Sequence, residues 1–235
     1  MSNSFNPYAV RPVAEAPLET RTDFVRKTYT HLAGAIGVFA VIETFLVKAG
    51  FGLATLRMLD ASSYSWLAVM AGFMIISSIA NKMALSGASK TTQYLGLGIY
   101  TVAWAVLFLP IISVAMVKAG PAVIGQAAVV TGALVLGLTA IAFTTKKDFT
   151  FLGGALKIGS FIVLGLIVAS ILMGFSLGIW FCGAMVLFAS ASILYNTSAI
   201  MYHYAPGQHV AASLSLFASV ALLFWYVLRL FMSRD

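Results

Sequence analysis

The chain is poor in cysteine and in charged residues, and each shortage excludes a class of protein. Its 235 residues include one cysteine, Cys182, which excludes an intrachain disulfide and a multi-cysteine metal site. Only 9% of the residues are charged, whereas soluble domains carry about 25%. With 61% hydrophobic residues and a mean hydropathy of +0.98, the chain cannot cover its apolar surface in water. These values predict an integral membrane protein without a second, extramembrane domain.

Acidic residues are scarcer than basic ones, and the balance of 7 to 14 gives a net charge of +7. In a soluble protein this excess would suggest nucleic acid as a partner. Here the Lys and Arg residues stand beside apolar segments, and no basic patch with interleaved aromatics occurs. We therefore predict no nucleic-acid binding and expect these side chains to meet the headgroups of membrane lipids.

The motifs that carry enzymatic chemistry are missing as well. The sequence has no Gly-rich phosphate loop, no cluster of metal ligands, and no nucleophile with a histidine at matching depth in a span. We predict a non-enzymatic protein with no catalytic residue, no cofactor and no metal site.

The chain divides into a polar N-terminal tail and an apolar remainder. Residues 1–23 hold three of the six prolines with mixed charges and few aliphatic residues, which predicts a disordered tail that is retained, since no cleavable signal pattern is present. Residues 24–235 predict an all-α transmembrane domain, because a spanning helix needs about 17–25 mostly apolar residues. Seven candidate spans occur, the third of them interrupted by Pro110, with tight turns at Gly120-Pro121 and Gly174. They cover residues 28–47, 64–81, 93–117, 121–143, 151–173, 177–201 and 210–231.

Basic residues in the loops and near the ends of the spans predict the orientation, because cytoplasmic loops are enriched in Lys and Arg. With the N-terminus cytoplasmic, the cytoplasmic side holds Arg11, Arg21, Arg26, Lys27, Lys82, Lys90, Lys146, Lys147 and Lys157. The other side then holds Lys48, Arg57, Lys118, Arg229 and Arg234. Seven spans place the C-terminus on the periplasmic side.

The last two predicted spans each carry a polar stripe at helical spacing. Ser192, Asn196 and His203 share one face of the sixth span. One face of the seventh carries Ser215, Ser219, Tyr226 and Arg229. The short turn at 206–207 makes the two helices antiparallel neighbours, so their stripes can meet inside a bundle. Unpaired polar groups are costly in lipid, which favours a position facing protein or a water-filled cavity.

Four side chains leave alternative roles open. Glu43, the one acid inside a predicted span, either lines a water-filled cavity or extends to the outer interface near Lys48. Arg229 is either an interfacial anchor or a partner of Glu43. His203 and His209 flank the cytoplasmic turn, where histidines can titrate near neutrality but are more often simply solvated.

The loop between the fourth and fifth spans carries a motif, TTKKDFTFLGG at residues 144–154. Its physical interpretation is a cytoplasmic loop held by Lys146 and Lys147. Asp148 or Thr150 can cap the next helix, which Gly153 and Gly154 allow to pack closely. The string also resembles the T-x-[RK]-K-D-[FM]-[ST]-F-L-G-G signature of the transmembrane Bax inhibitor family, particularly its bacterial YccA-like branch. Segments 24–29, 109–112, 195–198 and 214–217 resemble other family segments in the same order, although Leu109 departs from a family glycine.

The resemblance implies a seven-helix bundle with the last helix central. It also implies a choice of activity, because many members carry two buried aspartates that share a proton and gate a pH-sensitive calcium leak. The matching positions here are Asn196 and Ser219, which do not ionise near neutral pH. These neutral groups either hydrogen-bond each other or bind a cation weakly, and we favour the hydrogen bond because calcium prefers carboxylates.

The YccA-like branch implies another activity, association with the membrane-embedded AAA protease FtsH as a slowly degraded substrate that restrains it. A flexible N-terminal tail matters for that engagement. We therefore expect a bacterial inner-membrane protein that binds and modulates an FtsH-type protease. The alternative is a pH-sensitive calcium or cation leak channel with an altered gate.

Overall fold

The computed structural model describes residues 12–62, 64–86, 89–145 and 147–233. Helices make up almost all of these residues, and no strand occurs among them. A 3-10 turn, Val13–Glu15, precedes eight α-helices. They are α1 (Leu18–Lys48), α2 (Phe51–Asp60), α3 (Ser65–Leu85), α4 (Lys90–Lys118), α5 (Ala122–Thr144), α6 (Leu152–Met173), α7 (Gly178–Tyr202) and α8 (His209–Met232).

The seven predicted spans are confirmed as helices. All the helices except α2 are long and apolar enough to cross a membrane. The turns predicted at Gly120 and Gly174 are also present, and both glycines have positive φ angles, 78° and 72°. A side chain at either position would strain the backbone, so glycine is the residue that allows these tight connections.

The structure differs from the predicted spans at three places. The first helix begins at Leu18 rather than residue 28, because its polar first turns continue the same helix beyond the apolar run. The ten-residue helix α2 lies in a stretch predicted as a loop. Helix α4 runs through Pro110 without a break, since neighbouring helices enclose that turn and Pro110 is buried there.

The predicted disordered tail differs from the structure over residues 12–23, whereas residues 1–11 lie outside the described residues. Val13 is fully buried, and its backbone N–H donates to the carbonyl oxygen of Tyr204 over 2.9 Å. Phe24, on the second turn of α1, is also buried in the core. The segment before the first span is therefore docked against the connection between α7 and α8.

Helix α8 lies at the centre of the bundle and contacts α1, α3, α4, α5 and α7. Buried residues make up more than half of α8 and about half of α4, whereas α6 has none. Phe108 of α4 joins this core to α1 and α8: its ring centroid lies 5.1 Å from that of Phe39, 5.6 Å from Phe224 and 4.9 Å from Trp225. The prediction of a central last helix is thus confirmed.

Candidate functional site

Asn196 of α7 and Ser219 of α8 meet inside the bundle. The side-chain amide of Asn196 donates a hydrogen bond to Ser219 Oγ over 2.8 Å. The same nitrogen lies 3.4 Å from the carbonyl oxygen of Ser215, one turn earlier on α8. The hydrogen bond favoured from the sequence is therefore present, and it joins two neutral groups that satisfy each other.

A second polar link continues from this pair toward the connection between the two helices. The Tyr204 hydroxyl and Ser215 Oγ are 2.8 Å apart and share a hydrogen bond. Burial raises the pKa of Tyr204 further above neutral pH, where a tyrosine hydroxyl is already protonated, so the hydroxyl is available for this bond. Ser192 Oγ instead donates to the carbonyl oxygen of Phe188 on its own helix.

Four of these side chains, those of Ser192, Asn196, Ser215 and Ser219, line a cavity of about 320 Å³. It lies in the half of the bundle nearer the N-terminus of α1, and its lining residues on α8 are five to ten residues, or ~7.5–15 Å, from the start of that helix. The lining residues come from five helices and are Asn81, Tyr100, Gly153, Leu156, Lys157, Ser160, Ser192, Tyr195, Asn196, Leu214, Ser215, Ala218 and Ser219. In that set Lys157 is charged and no side chain is acidic.

The sequence stripes are thus only partly brought together. Ser192, Asn196, Ser215 and Ser219 line the cavity, but His203, Tyr226 and Arg229 do not. Lys157 and Tyr195 line it as well, although the stripes did not include them. The sequence could have indicated Lys157, because a lysine five residues inside an apolar span is itself a candidate functional residue.

His203, Tyr226 and Arg229 have other surroundings. His203 is exposed at the end of α7, as expected for a solvated histidine. Tyr226 is buried, with its ring edge-on to Phe181 at 5.9 Å between centroids. Arg229 is exposed on the last turns of α8. His209 differs from its predicted solvated position, because it is buried with its ring centroid 5.1 Å from that of His31.

Glu43 is buried on the wall of a second, apolar cavity. This groove of about 670 Å³ lies between α1 and α5, with α4 and α8 behind it. Neither carboxylate oxygen of Glu43 has a hydrogen-bond partner among the described residues, and the hypothesised pair with Arg229 is not formed. Of the two alternatives for Glu43, extension to the outer interface does not occur.

The loop motif is hydrogen-bonded to α7 through its backbone. The N–H of Phe149 donates to Ser198 Oγ on α7 over 3.1 Å. Asp148 Oδ1 accepts from the N–H of Thr150 over 2.8 Å, and hydrogen bonds from the Thr150 hydroxyl and amide lower the pKa of Asp148. Lys147 is exposed, and Lys146 lies outside the described residues.

The two glycines of the motif are not equivalent. A Cβ atom added to Gly153 would lie 2.8 Å from Tyr195 Cε2, whereas one added to Gly154 would have no heavy atom within 4 Å. Gly153 therefore allows α6 to approach the cavity wall on α7, as expected for a small residue between membrane helices. Gly154 has no such role in the described bundle.

The donor set of the polar cavity suits hydrogen bonding rather than metal binding. Among the described residues, no three or more His, Cys, Asp or Glu side chains form a group that could hold a metal ion. Calcium is bound in proteins largely through carboxylates, which this cavity wall does not supply.

The architecture and the loop motif agree with a comparison of the whole sequence. A family model described as "Inhibitor of apoptosis-promoting Bax1" matches residues 21–235. The chain belongs to this Bax inhibitor family. The matched region includes all eight α-helices, except for the first three residues of α1.

Individual relatives match over shorter stretches. The Pseudomonas aeruginosa protein PA2604 is 37% identical over 113 residues, which cover 48% of this chain and 50% of that protein. The "Modulator of FtsH protease YccA" of Escherichia coli K12 is 34% identical over 114 residues, 44% of this chain and 52% of that protein. Mouse "Protein lifeguard 4" is 34% identical over 113 residues, 44% of each chain. The matched stretches thus span about half of these Bax inhibitor relatives.

Proposed function

We propose that this multi-pass membrane protein is non-enzymatic and acts by binding and modulating an FtsH-type AAA protease of the bacterial inner membrane. The observation that carries the proposal is the neutral pair Asn196–Ser219, joined over 2.8 Å at the positions where the family's proton-sharing aspartates are expected. The protease is proposed as the partner because the chain is similar to a relative named as a modulator of FtsH protease.

The chemistry of the site supports contact rather than acid-gated conduction. Two carboxylates held close together cannot both ionise, and their shared proton makes a pH switch. An amide and a hydroxyl have no such proton to exchange near neutral pH. None of the described residues that line the cavity is an Asp or a Glu, so no other carboxylate there supplies a shared proton.

The proposal is tested by co-purification from bacterial membranes that contain an FtsH-type protease. The full chain should retain the protease, and proteoliposomes containing both proteins should degrade a membrane-protein reporter more slowly. A truncation should stop at residue 11, because Val13 and Phe24 belong to the packed bundle. Removing residues 1–11 should weaken engagement, and a scrambled segment of the same length is the matched control.

Two results would overturn this function. One is the absence of the protease from the purified complex together with unchanged degradation of the reporter. The other is a calcium flux through liposomes that follows pH, which would favour the leak-channel alternative instead.

We propose that the N-terminus faces the cytoplasm and the C-terminus the periplasm. The test replaces exposed residues with cysteine, Glu15→Cys and Ser233→Cys, in a Cys182→Ala background. A membrane-impermeant maleimide should label position 233 in intact spheroplasts and position 15 only after lysis. The reverse pattern, or labelling of both positions from one side, would contradict the proposed orientation.

A further inference from the structure

The groove between α1 and α5 takes no part in the proposed function. Both helices pack against α8 but make almost no contact with each other, so a groove of about 670 Å³ lies between them. Its wall on α1 extends from Tyr29 to Lys48, nineteen residues or ~28 Å along the helix axis. The hydrocarbon core of a bilayer is ~30 Å thick, so the groove extends through most of the membrane.

The mostly apolar wall of the groove includes two buried polar side chains. Glu43 of α1 is 6% exposed and Thr131 of α5 is 4% exposed. Neither carboxylate oxygen of Glu43 nor the hydroxyl oxygen of Thr131 has a hydrogen-bond partner among the described residues. Within that part of the chain Glu43 also forms no ion pair, although the exposed Lys48 lines the end of the groove.

The chemistry of these two side chains favours a ligand that donates hydrogen bonds. A buried carboxylate without a partner is costly in hydrocarbon, and intramembrane acids pair with a group of opposite charge. Calcium does not fit, because it takes ~6–8 oxygen ligands and the described wall offers one carboxylate. An ammonium group carries three donors and no acceptor, so it suits the oxygens of Glu43 and Thr131.

The dimensions of the groove favour a small amphiphile over a protein segment. Its volume lies within the ~300–1,000 Å³ typical of small-molecule sites, which are mostly apolar with a few polar groups. A spanning helix ~10 Å across and ~30 Å long occupies about 2,400 Å³, over three times that volume. A single alkyl chain can instead follow the groove over the apolar side chains of α4 and α8, among them Ile112, Phe217 and Phe224.

We propose that this groove binds a single-chain amphiphile with a primary amine, whose ammonium pairs with Glu43 and Thr131 and whose alkyl chain lies along the apolar wall. Glu43 is five residues or ~7.5 Å from the end of α1, so the ammonium stays near the membrane interface while the chain extends toward the bilayer centre. The rotatable bonds of the Glu43 side chain allow its carboxylate to turn toward the ligand. This site is independent of the proposed protease contact, because it requires only the walls of the groove.

The test uses dodecylamine with a photoreactive diazirine in its alkyl chain and the purified full chain in phosphatidylcholine liposomes. Illumination should label groove residues of α1 and α5 saturably, and unlabelled dodecylamine should compete at least tenfold better than dodecanol or dodecanoate. Glu43→Gln keeps the shape and should weaken labelling by about tenfold or more, as expected for loss of a hydrogen bond to a charged group. Asp60→Asn is the matched control, because it neutralises an exposed acid outside the groove.

A second variant keeps the test decisive if Glu43→Gln does not fold. Thr131→Val replaces the hydroxyl by a methyl group and should reduce labelling several-fold, while Asp60→Asn leaves it unchanged. Equal labelling of the native chain, Glu43→Gln and Thr131→Val would overturn the proposal, as would the absence of saturable labelling in the groove. Equal competition by dodecanol would overturn it in favour of lipid hydrocarbon, and protection of the groove in a dimer would overturn it in favour of a second copy of the chain.

Discussion

The carboxylate of Glu43 is buried in the bundle, and neither of its oxygens has a hydrogen-bond partner among the described residues. An unsatisfied buried polar group costs about 1–3 kcal/mol, and replacing it by an apolar side chain of similar size removes that cost. Glu43→Met should therefore raise the free energy of unfolding by about 1–2 kcal/mol, measured by denaturant titration in detergent micelles.

Glu43→Gln is the control for this change, because it keeps the shape and the unsatisfied polar atoms. It should gain little stability. If Glu43→Met is instead less stable than the native chain while Glu43→Gln is unchanged, the carboxylate is held by a bound group in the groove between α1 and α5.

The Asn196–Ser219 pair offers a direct test of the lost proton switch. Replacing both with Asp places two carboxyl groups where the amide and hydroxyl are now 2.8 Å apart, so the pair should titrate with two separated apparent pKa values. If the bundle retains a conducting path, the double variant should show pH-dependent calcium flux in liposomes.

Ser219→Asp alone is the matched control, because a single carboxylate beside Asn196 has no second acid with which to share a proton. It should show no comparable pH dependence. A double variant that folds but passes no calcium at any pH would mean that this bundle has no conducting path.

At the scale of helices, the sequence predicts the number of spans well and their limits less well. Seven apolar runs were sufficient to identify seven membrane helices, because each backbone group in a bilayer must be satisfied within its own helix. The early start of α1 and the short α2 were missed, because a search for apolar length does not detect polar turns or a ten-residue helix.

The candidate site shows the same division between what spacing can and cannot predict. A short connection makes α7 and α8 antiparallel neighbours, so two stripes predict that Asn196 meets Ser219. The hypothesised pair of Glu43 with Arg229 failed although both lie near the same end of the bundle. Depth along two helices does not determine how each is rotated about its axis, and α1 turns Glu43 toward a groove beside α5.

The contact of α6 with the cavity wall depends on Gly153. Gly153→Ala would force the Tyr195 ring to move, since the new Cβ would lie 2.8 Å from Cε2, and such overpacking costs about 1–3 kcal/mol. Gly154→Ala should instead be neutral or stabilise by up to about 1 kcal/mol through helix propensity. Thermal unfolding of both variants measures the difference, and equal stability would show that Tyr195 shifts without cost.

At the scale of the whole molecule, the N-terminal segment joins the bundle where α7 passes into α8. The Val13 amide donates to the backbone carbonyl oxygen of Tyr204. The Tyr204 hydroxyl in turn shares a hydrogen bond with Ser215, beside the polar pair. The docked N-terminal segment therefore lies at the same end of the molecule as the polar cavity. Any force applied to residues 1–11 reaches this docked segment before it reaches α1.

The position of Val13 leads to a prediction about degradation that depends on the proposed protease contact. An ATPase that pulls on the N-terminal residues must first release Val13, and burying a valine side chain contributes about 1.5–3 kcal/mol. Val13→Ala lowers that barrier to local opening, so an FtsH-type protease in proteoliposomes should degrade the variant several-fold faster. Glu15→Ala, in the same turn but exposed, should be degraded at the native rate. Equal rates for all three chains would mean that the protease does not begin at this segment, because local stability there would then have no influence on the first unfolding step.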